Sequence, residues 1–251
     1  MLCGGKSLKR ILILGGTQHA LELADAVERE GHFYLIYSLA GRVAQPRTPK
    51  CETRVGGFGG VDGLVRYLRD NRIDALIDAT HPFAAQISRN AVEASRQTGV
   101  PLIAFTRPPW APVAGDRWRL VADMTAAADL VAQRGGRVFL SIGRQEVAAF
   151  ADCKDADFVI RSIEPSDEPL PPRYELLLAR GPFRVEDELE LLKHQRIDLL
   201  VTKNSGGSAT YAKIEAARSL EIEVVMIDRP IVSGRQEIGT VEEVPKWLAA
   251  L

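Results

Sequence analysis

The residue types able to do chemistry in this sequence fall in short polar or glycine-rich stretches, most of them placed directly behind an apolar run. Ile11-Leu12-Ile13-Leu14 leads into Gly15-Gly16-Thr17-Gln18-His19-Ala20, and helical spacing follows. This is the logic of a dinucleotide turn. Glycine permits a sharp bend, a helix start leaves N–H groups unpaired, and a small residue lets helix and strand approach. Read as G-x-T-x-x-A, the stretch puts Thr17 in place of the middle glycine of the usual fingerprint and Ala20 in place of the last. NAD-binding folds place an acid about 20 residues beyond the glycines for the ribose 2′-hydroxyl. No acid stands between Tyr34 and Ser38; the chain reads Ser38-Leu39-Ala40-Gly41-Arg42. A hydroxyl and a guanidinium suit a 2′-phosphate, which favours NADP(H) over NAD(H).

Four further stretches carry similar potential. Arg54-Val55-Gly56-Gly57-Phe58-Gly59-Gly60 holds four glycines in five positions and can bring its backbone close to a ligand. Asp78-Ala79-Thr80-His81-Pro82-Phe83 ends an apolar run, with Thr80 placed as a helix cap and Pro82 in a first turn. Ser141-Ile142-Gly143-Arg144 and Thr202-Lys203-Asn204-Ser205-Gly206-Gly207 also follow apolar runs. The latter has the composition of an anion cradle, with a lysine, polar side chains and glycines before a helix. It is not a Walker loop, whose lysine follows the last glycine, and capping by Ser205 or Ser208 accounts for part of it equally well. His19, His32, His81 and His194 are too dispersed for a metal site, and Cys3, Cys51 and Cys153 show neither zinc nor disulfide spacing.

The elements that must position these residues alternate. Ala20, Leu23, Ala24 and Val27 form one helix face that Gly31 ends, and Val61, Leu64, Val65 and Leu68 form another. Strands are expected at 33–37, 75–77 and 102–105, with a helix over 83–97. A second half repeats the rhythm, with strands at 138–140, 158–160, 174–178, 199–201 and 224–227 and helices over 124–133, 184–194 and 208–219. Such alternation implies an α/β fold with mostly parallel sheets. Arg72-Ile73-Asp74-Ala75-Leu76-Ile77 matches Arg196-Ile197-Asp198-Leu199-Leu200-Val201, and Arg107-Pro108 answers Arg229-Pro230. Two Rossmann-like domains are expected, 1–116 and 117–251, with prolines over 107–124 as the crossover and a substrate cleft between them. Ligands of open α/β sheets bind beyond the carboxyl ends of the strands.

With 251 residues and a net charge of −1, the chain offers no bulk attraction to nucleic acid or to an anionic membrane. No apolar run approaches the roughly 20 residues of a membrane span, and the basic start lacks the apolar stretch of a signal peptide. A cytoplasmic protein, monomeric or a small homo-oligomer, is expected.

Taken together, Gly15-Gly16-Thr17, Ser38 to Arg42, Arg54 to Gly59, Asp78 to Ala84, Thr202 to Gly207 and Arg229-Pro230 resemble the precorrin-6A reductase family of cobalamin biosynthesis over residues 11–230. The resemblance implies NADPH-dependent reduction of one double bond of the precorrin-6A macrocycle, without metal or flavin. Hydride goes to a ring carbon and a proton to its neighbour. It implies nucleotide contacts at Gly15, Gly16, Thr17, Ser38, Leu39, Ala40, Gly41, Arg42, Gly57, Asp78, Ala79, Thr80 and His81. A tetrapyrrole carrying several carboxylates needs dispersed cations, for which Arg107, Arg117, Arg144, Lys203 and Arg229 are candidates, with Asn204, Ser205 and Gly206 beside them. Lys203, His81 and Tyr211 have proton-donor chemistry, and water is an alternative. Two other readings stay open: an NADP-dependent short-chain-type reductase or epimerase, and a non-enzymatic NADP(H)-binding redox sensor. No Tyr-x-x-x-Lys pair stands where the first would need one.

Overall fold

Ile11 to Leu14 are four consecutive apolar residues because both faces of their strand are covered. In the computed structural model, which describes residues 8–41 and 45–251, these residues lie in β1 (Lys9–Leu14). Ile11 and Ile13 pack with Ala20, Leu23, Ala24 and Val27 of α1 (Gln18–Arg29), while Leu12 and Leu14 pack with Leu64, Val65 and Leu68 of α2 (Gly60–Asp70). A strand covered on both sides loses the polar alternation of a half-exposed one.

The first sheet adds β2 (Phe33–Leu39), β3 (Glu52–Val55), β4 (Ala75–Asp78) and β5 (Leu102–Phe105), with α3 (Ala85–Thr98) between the last two. The chain continues through β6 (Trp118–Val121), α4 (Met124–Arg134), β7 (Gly136–Ser141), β8 (Ala156–Ser162) and β9 (Tyr174–Leu178). Then come α5 (Val185–His194), β10 (Leu199–Lys203), α6 (Ala212–Ser219), β11 (Glu223–Ile227), β12 (Gln236–Ile238) and α7 (Glu243–Ala249). The strands form two six-stranded sheets in the orders β12-β5-β4-β1-β2-β3 and β6-β11-β10-β7-β8-β9. Every pairing is parallel. Five strands of each sheet follow one doubly wound order, with β1 and β7 as the first strands.

The sixth strand of each sheet explains the domain boundaries. One unit comprises Met1–Arg107 with Ile231–Leu251, the other Pro108–Pro230. The single division expected at 116/117 is therefore replaced by two crossings, and the last twenty-one residues return to the first unit. Both crossings fall at the Arg-Pro pairs of the internal repeat. After β5 the chain leaves to add β6 beside β11; after β11 it comes back to add β12 beside β5.

The repeat extends to conformation and hydrogen bonding. Arg72 and Arg196 both take left-handed backbone, at φ 48° and 51°. Ile73 N–H donates to Leu68 C=O and Ile197 N–H to Leu192 C=O. Asp74 Oδ2 accepts from Arg10 N–H as Asp198 Oδ2 accepts from Arg137 N–H, at 2.7 and 2.9 Å. The same motif thus closes a helix and leads into β4 in one unit and β10 in the other.

Two local expectations fail. Helix α3 starts at Ala85 with no side-chain cap, so Thr80 and Pro82 lie in the preceding turn rather than at the helix start. Helix α6 starts at Ala212, later than 208. β3, β6 and β12 escape the apolar pattern because β3 and β6 are edge strands with exposed residues and β12 has three residues. Among the described residues no helix is long and apolar enough to cross a membrane, and no group of His, Cys, Asp or Glu could hold a metal ion.

Candidate functional site

The glycines at the end of β1 answer to a tyrosine. A Cβ on Gly15 would lie 2.1 Å from Tyr37 Cζ, and Tyr37 is fully buried in β2. The Tyr37 hydroxyl accepts from Gly16 N–H at 3.0 Å, and Gly16 has φ +108°, which favours glycine. Thr17 caps α1: its hydroxyl accepts from Ala20 N–H at 3.0 Å and donates to Ala79 C=O at 3.3 Å. The turn after β1 is thereby tied to the end of β4. Gln18 and His19 present the N–H groups that helix geometry leaves without an intrahelical partner.

Ser38 and Leu39 end β2. Ser38 C=O accepts from Gly15 N–H at 2.9 Å and Leu39 C=O from Gly56 N–H at 2.8 Å, so the end of β2 joins the first turn to the glycine-rich loop. Arg54, in β3, donates from Nη1 to Ser38 Oγ at 2.8 Å and to Gly56 C=O at 2.9 Å, and from Nη2 to Gly57 C=O at 3.3 Å. Its guanidinium lies 3.9 Å from the Phe58 ring centroid and 5.1 Å from that of Tyr67. Ala40 and Gly41 are exposed, and Gly41 turns at φ +76°. Arg42, the residue expected to meet a 2′-phosphate, lies outside the described residues.

At the end of β4, Asp78 is buried. Its Oδ1 accepts from Thr80 N–H at 3.2 Å and Thr80 Oγ1–H at 2.6 Å, and its Oδ2 pairs with Arg235. Asp78 therefore shapes the Ala79–Thr80 turn. His81 Nδ1 accepts from Phe83 N–H at 3.3 Å. Arg107 closes the first part of this unit, and burial lowers its guanidinium pKa, partly opposed by the charge of Glu22.

In the second unit, Lys203 ends β10 with its ammonium 2.9 Å from Glu146 Oε1. The loop beyond it is built from within. Asn204 Oδ1 accepts from Trp110 N–H at 2.8 Å and its Nδ2 donates to Trp110 C=O at 3.0 Å. Arg229 donates to the carbonyls of Asn204 and Ser205 at 2.8 and 3.0 Å. A Cβ on Gly206 would lie 2.2 Å from Pro108 C=O. The amides of Asn204 and Ser205 donate to Ile227 and Lys203 carbonyls, and α6 begins well downstream. Two of the amides expected in the anion cradle are thus engaged within the chain, and the helix start lies further along than the composition implied. Tyr211 sits at the start of α6, where its hydroxyl accepts from Arg218, itself paired with Asp116. Arg144 meets Glu164 at 3.4 Å. Arg117 precedes β6 and pairs with Glu221 at the amino edge of the sheet, the opposite edge from Lys203, so the structure does not bring it to the other candidates.

The model of the family described as precorrin-6x reductase CbiJ/CobK matches residues 10–249. The chain belongs to the precorrin-6x reductase family. It is 52% identical over 242 residues to the precorrin-6A reductase of Rhodococcus erythropolis, covering 96% of this chain and 97% of the relative. It is 28% identical to the cobalt-precorrin-6A reductase of Priestia megaterium, covering 93% and 96%. A solved structure of CobK precorrin-6A reductase superposes with a TM-score of 0.91 at 46% identity, covering 97% of each chain. Family members are oxidoreductases of cobalamin biosynthesis acting on a CH–CH group, and a reductase of this kind implies a nicotinamide cofactor.

Within this member of the precorrin-6x reductase family, four residues that sequence reasoning did not nominate shape the candidate positions. Arg54 was visible only as the first residue of a glycine-rich stretch. Arg235 lies past the Arg-Pro pair, in the returning segment. Glu146 and Trp110 are brought to Lys203 and Asn204 by tertiary folding across 57 and 94 residues of chain, and no local pattern marks them.

Proposed function

We propose that the protein reduces one carbon–carbon double bond of precorrin-6A with NADPH, giving the dihydro product and NADP⁺. The family match over nearly the whole chain carries this reading. The first unit suits the nucleotide: Gly15 and Gly16 form a tight turn at the carboxyl end of the first strand, a helix start follows, and Ser38 stands where the adenosine ribose is expected. Bound NADPH would supply the hydride. Gly15, Gly16, Thr17 and the Ser38–Gly41 segment would hold the pyrophosphate and ribose, and the Asp78–His81 turn and Gly57 would line the same carboxyl edge.

The chain's own part in the chemistry is orientation and one proton. Lys203 is the first candidate to deliver that proton to the ring carbon beside the one reduced, because its side chain is held at the end of β10 by Glu146. His81 and Tyr211 are the other candidates; the Tyr211 hydroxyl accepts from Arg218 and keeps its own O–H to donate. Arg107, Arg144, Lys203 and Arg229 are the candidates to meet substrate carboxylates, while Arg117 at the amino edge of its sheet is a weaker one. The greater identity to the relative named for the cobalt-free substrate favours precorrin-6A over its cobalt complex. Such an enzyme works in the cytoplasm, where NADPH is regenerated, as a monomer or small homo-oligomer.

The test is anaerobic mixing of the purified protein with NADPH and precorrin-6A. The expected result is loss of nicotinamide absorbance in equal amount with substrate, and a product heavier by two hydrogens. Binding of NADPH with no turnover of either precorrin-6A or its cobalt complex would exclude the reductase reading.

A further inference from the structure

We propose that Arg54 selects NADPH over NADH, by receiving the nucleotide's 2′-phosphate beside the Ser38 hydroxyl. The inference rests on the NADPH reading above and assigns its discrimination to a residue in β3, outside the Ser38–Arg42 segment from which a cation was expected.

Three observations converge. The first is connectivity: Gly15 N–H donates to Ser38 C=O, and Arg54 donates to Ser38 Oγ. A nucleotide whose pyrophosphate lies at the first turn therefore brings its adenosine ribose toward Ser38 and the guanidinium beside it. The second is charge. Arg54 is half-buried, and all its partners are neutral: a hydroxyl, the Gly56 and Gly57 carbonyls and the faces of Phe58 and Tyr67. Among the described residues no carboxylate pairs with it, unlike Arg161, which meets Glu188, and Arg235, which meets Asp78. Partial burial lowers its pKa, the mark of a cation in want of an anion. The third is geometry. A guanidinium carries five N–H donors; three hydrogen bonds fix Arg54, leaving donors at Nε and Nη2 without an acceptor among the described residues. Stacking on Phe58 holds the plane still, so these donors are preorganised for a phosphate.

A scaffolding role makes a different prediction. If Arg54 only holds the glycine-rich loop, its loss weakens every nucleotide alike. The experiment is calorimetric titration of the full protein with 2′,5′-ADP and with 5′-ADP, comparing the parent, R54M, R54K and R42A. The parent is expected to bind 2′,5′-ADP at least tenfold more tightly than 5′-ADP. R54M should weaken 2′,5′-ADP by about 10- to 100-fold and change 5′-ADP by less than about threefold. R54K, which keeps the charge but loses the planar fork, should fall between; it also supplies the reading should R54M not fold. Equal weakening of both ligands in the Arg54 variants overturns the proposal, as does full retention of 2′,5′-ADP affinity. Selective loss in R42A alone assigns the role to Arg42 and likewise overturns it. A parent protein that binds the two ligands equally refutes the NADPH reading itself, a result distinct from failure of Arg54.

Discussion

The Asp78–Arg235 pair gives a stability prediction with an unusual sign. Both side chains are nearly removed from water, at 2% and 10% exposure. Replacing Arg235 by methionine leaves a buried carboxylate whose remaining support is the Thr80 amide and hydroxyl. Breaking a buried pair from one side costs about 3–5 kcal/mol. Two facts place R235M near the lower end. The Thr80 bonds still favour the carboxylate, and Arg235 Nε is buried with no hydrogen-bond partner, so its removal relieves about 1 kcal/mol or more. The contact of Arg235 with Glu237 contributes little, since Glu237 is exposed. The double variant D78N/R235M carries no buried charge here, and asparagine Oδ1 can still accept from Thr80. It should lie within about 1.5 kcal/mol of the parent, so the second mutation restores stability that the first removed. The measurement is urea unfolding followed by far-ultraviolet circular dichroism, scored on the transition that a nucleotide ligand raises. An R235M loss below about 1 kcal/mol, or a double variant no more stable than R235M, would refute the reasoning.

Three further outcomes are expected. G15A should destabilise by about 2–4 kcal/mol, since its Cβ would meet the Tyr37 ring at 2.1 Å and strain the Tyr37–Gly16 hydrogen bond; an unchanged urea midpoint would disprove the packing assigned to this turn. K203M should lower kcat on precorrin-6A by about 10²-fold or more with the KM for NADPH little altered, and an unchanged kcat removes Lys203 as proton donor. Burial, aided by the charge of Glu28, pushes the Cys51 thiol up to about 11. At pH 8 its thiolate should be about a hundredfold scarcer than in a free cysteine; mass-spectrometric iodoacetamide labelling as fast as that of a model thiol would contradict this.

What the sequence made legible follows from which forces act locally. The central strands announce themselves because burial on both faces leaves unbroken apolar runs, as in Ile11 to Leu14 and Leu199 to Val201. Edge strands satisfy no such rule. β12 is recognised only by the partner it finds on β5, so the return of the chain to its first unit could not be read from 236–238. Gly15 stands out in the sequence as a glycine of a dinucleotide turn, and in the structure it is the Tyr37 ring that leaves no room for a side chain there. Thr80 looked like a cap because a cap and an Asp-anchored turn draw on the same residue type. Only the buried Asp78 next to it distinguishes the two. Spacing along β2 points to Arg42, whereas Arg54 comes beside Ser38 only through the pairing of β3 with β2, which no local pattern announces.

The near-neutral balance of the chain takes on a different meaning once partners are known. At the amino edge of the second sheet, Arg117, Arg134, Arg137 and Arg173 each face a carboxylate, from Glu221, Glu223, Glu175 and Asp157. Much of the positive charge is compensated there, on the edge away from Lys203. At the carboxyl edge, Lys203 and Arg144 also bring acids of their own, Glu146 and Glu164. A carboxylate that met either cation would compete with the resident acid, so its net gain would be the difference between two similar contacts. Such an exchange sets orientation more than affinity. Arg54 instead donates to a hydroxyl and two backbone carbonyls, which orient a guanidinium without neutralising it. An anion that meets a cation held in this way adds a charge interaction rather than replacing one. Affinity for an anion beside Ser38 is therefore expected to follow Arg54, whereas an anion that meets an acid-paired cation such as Lys203 gains less.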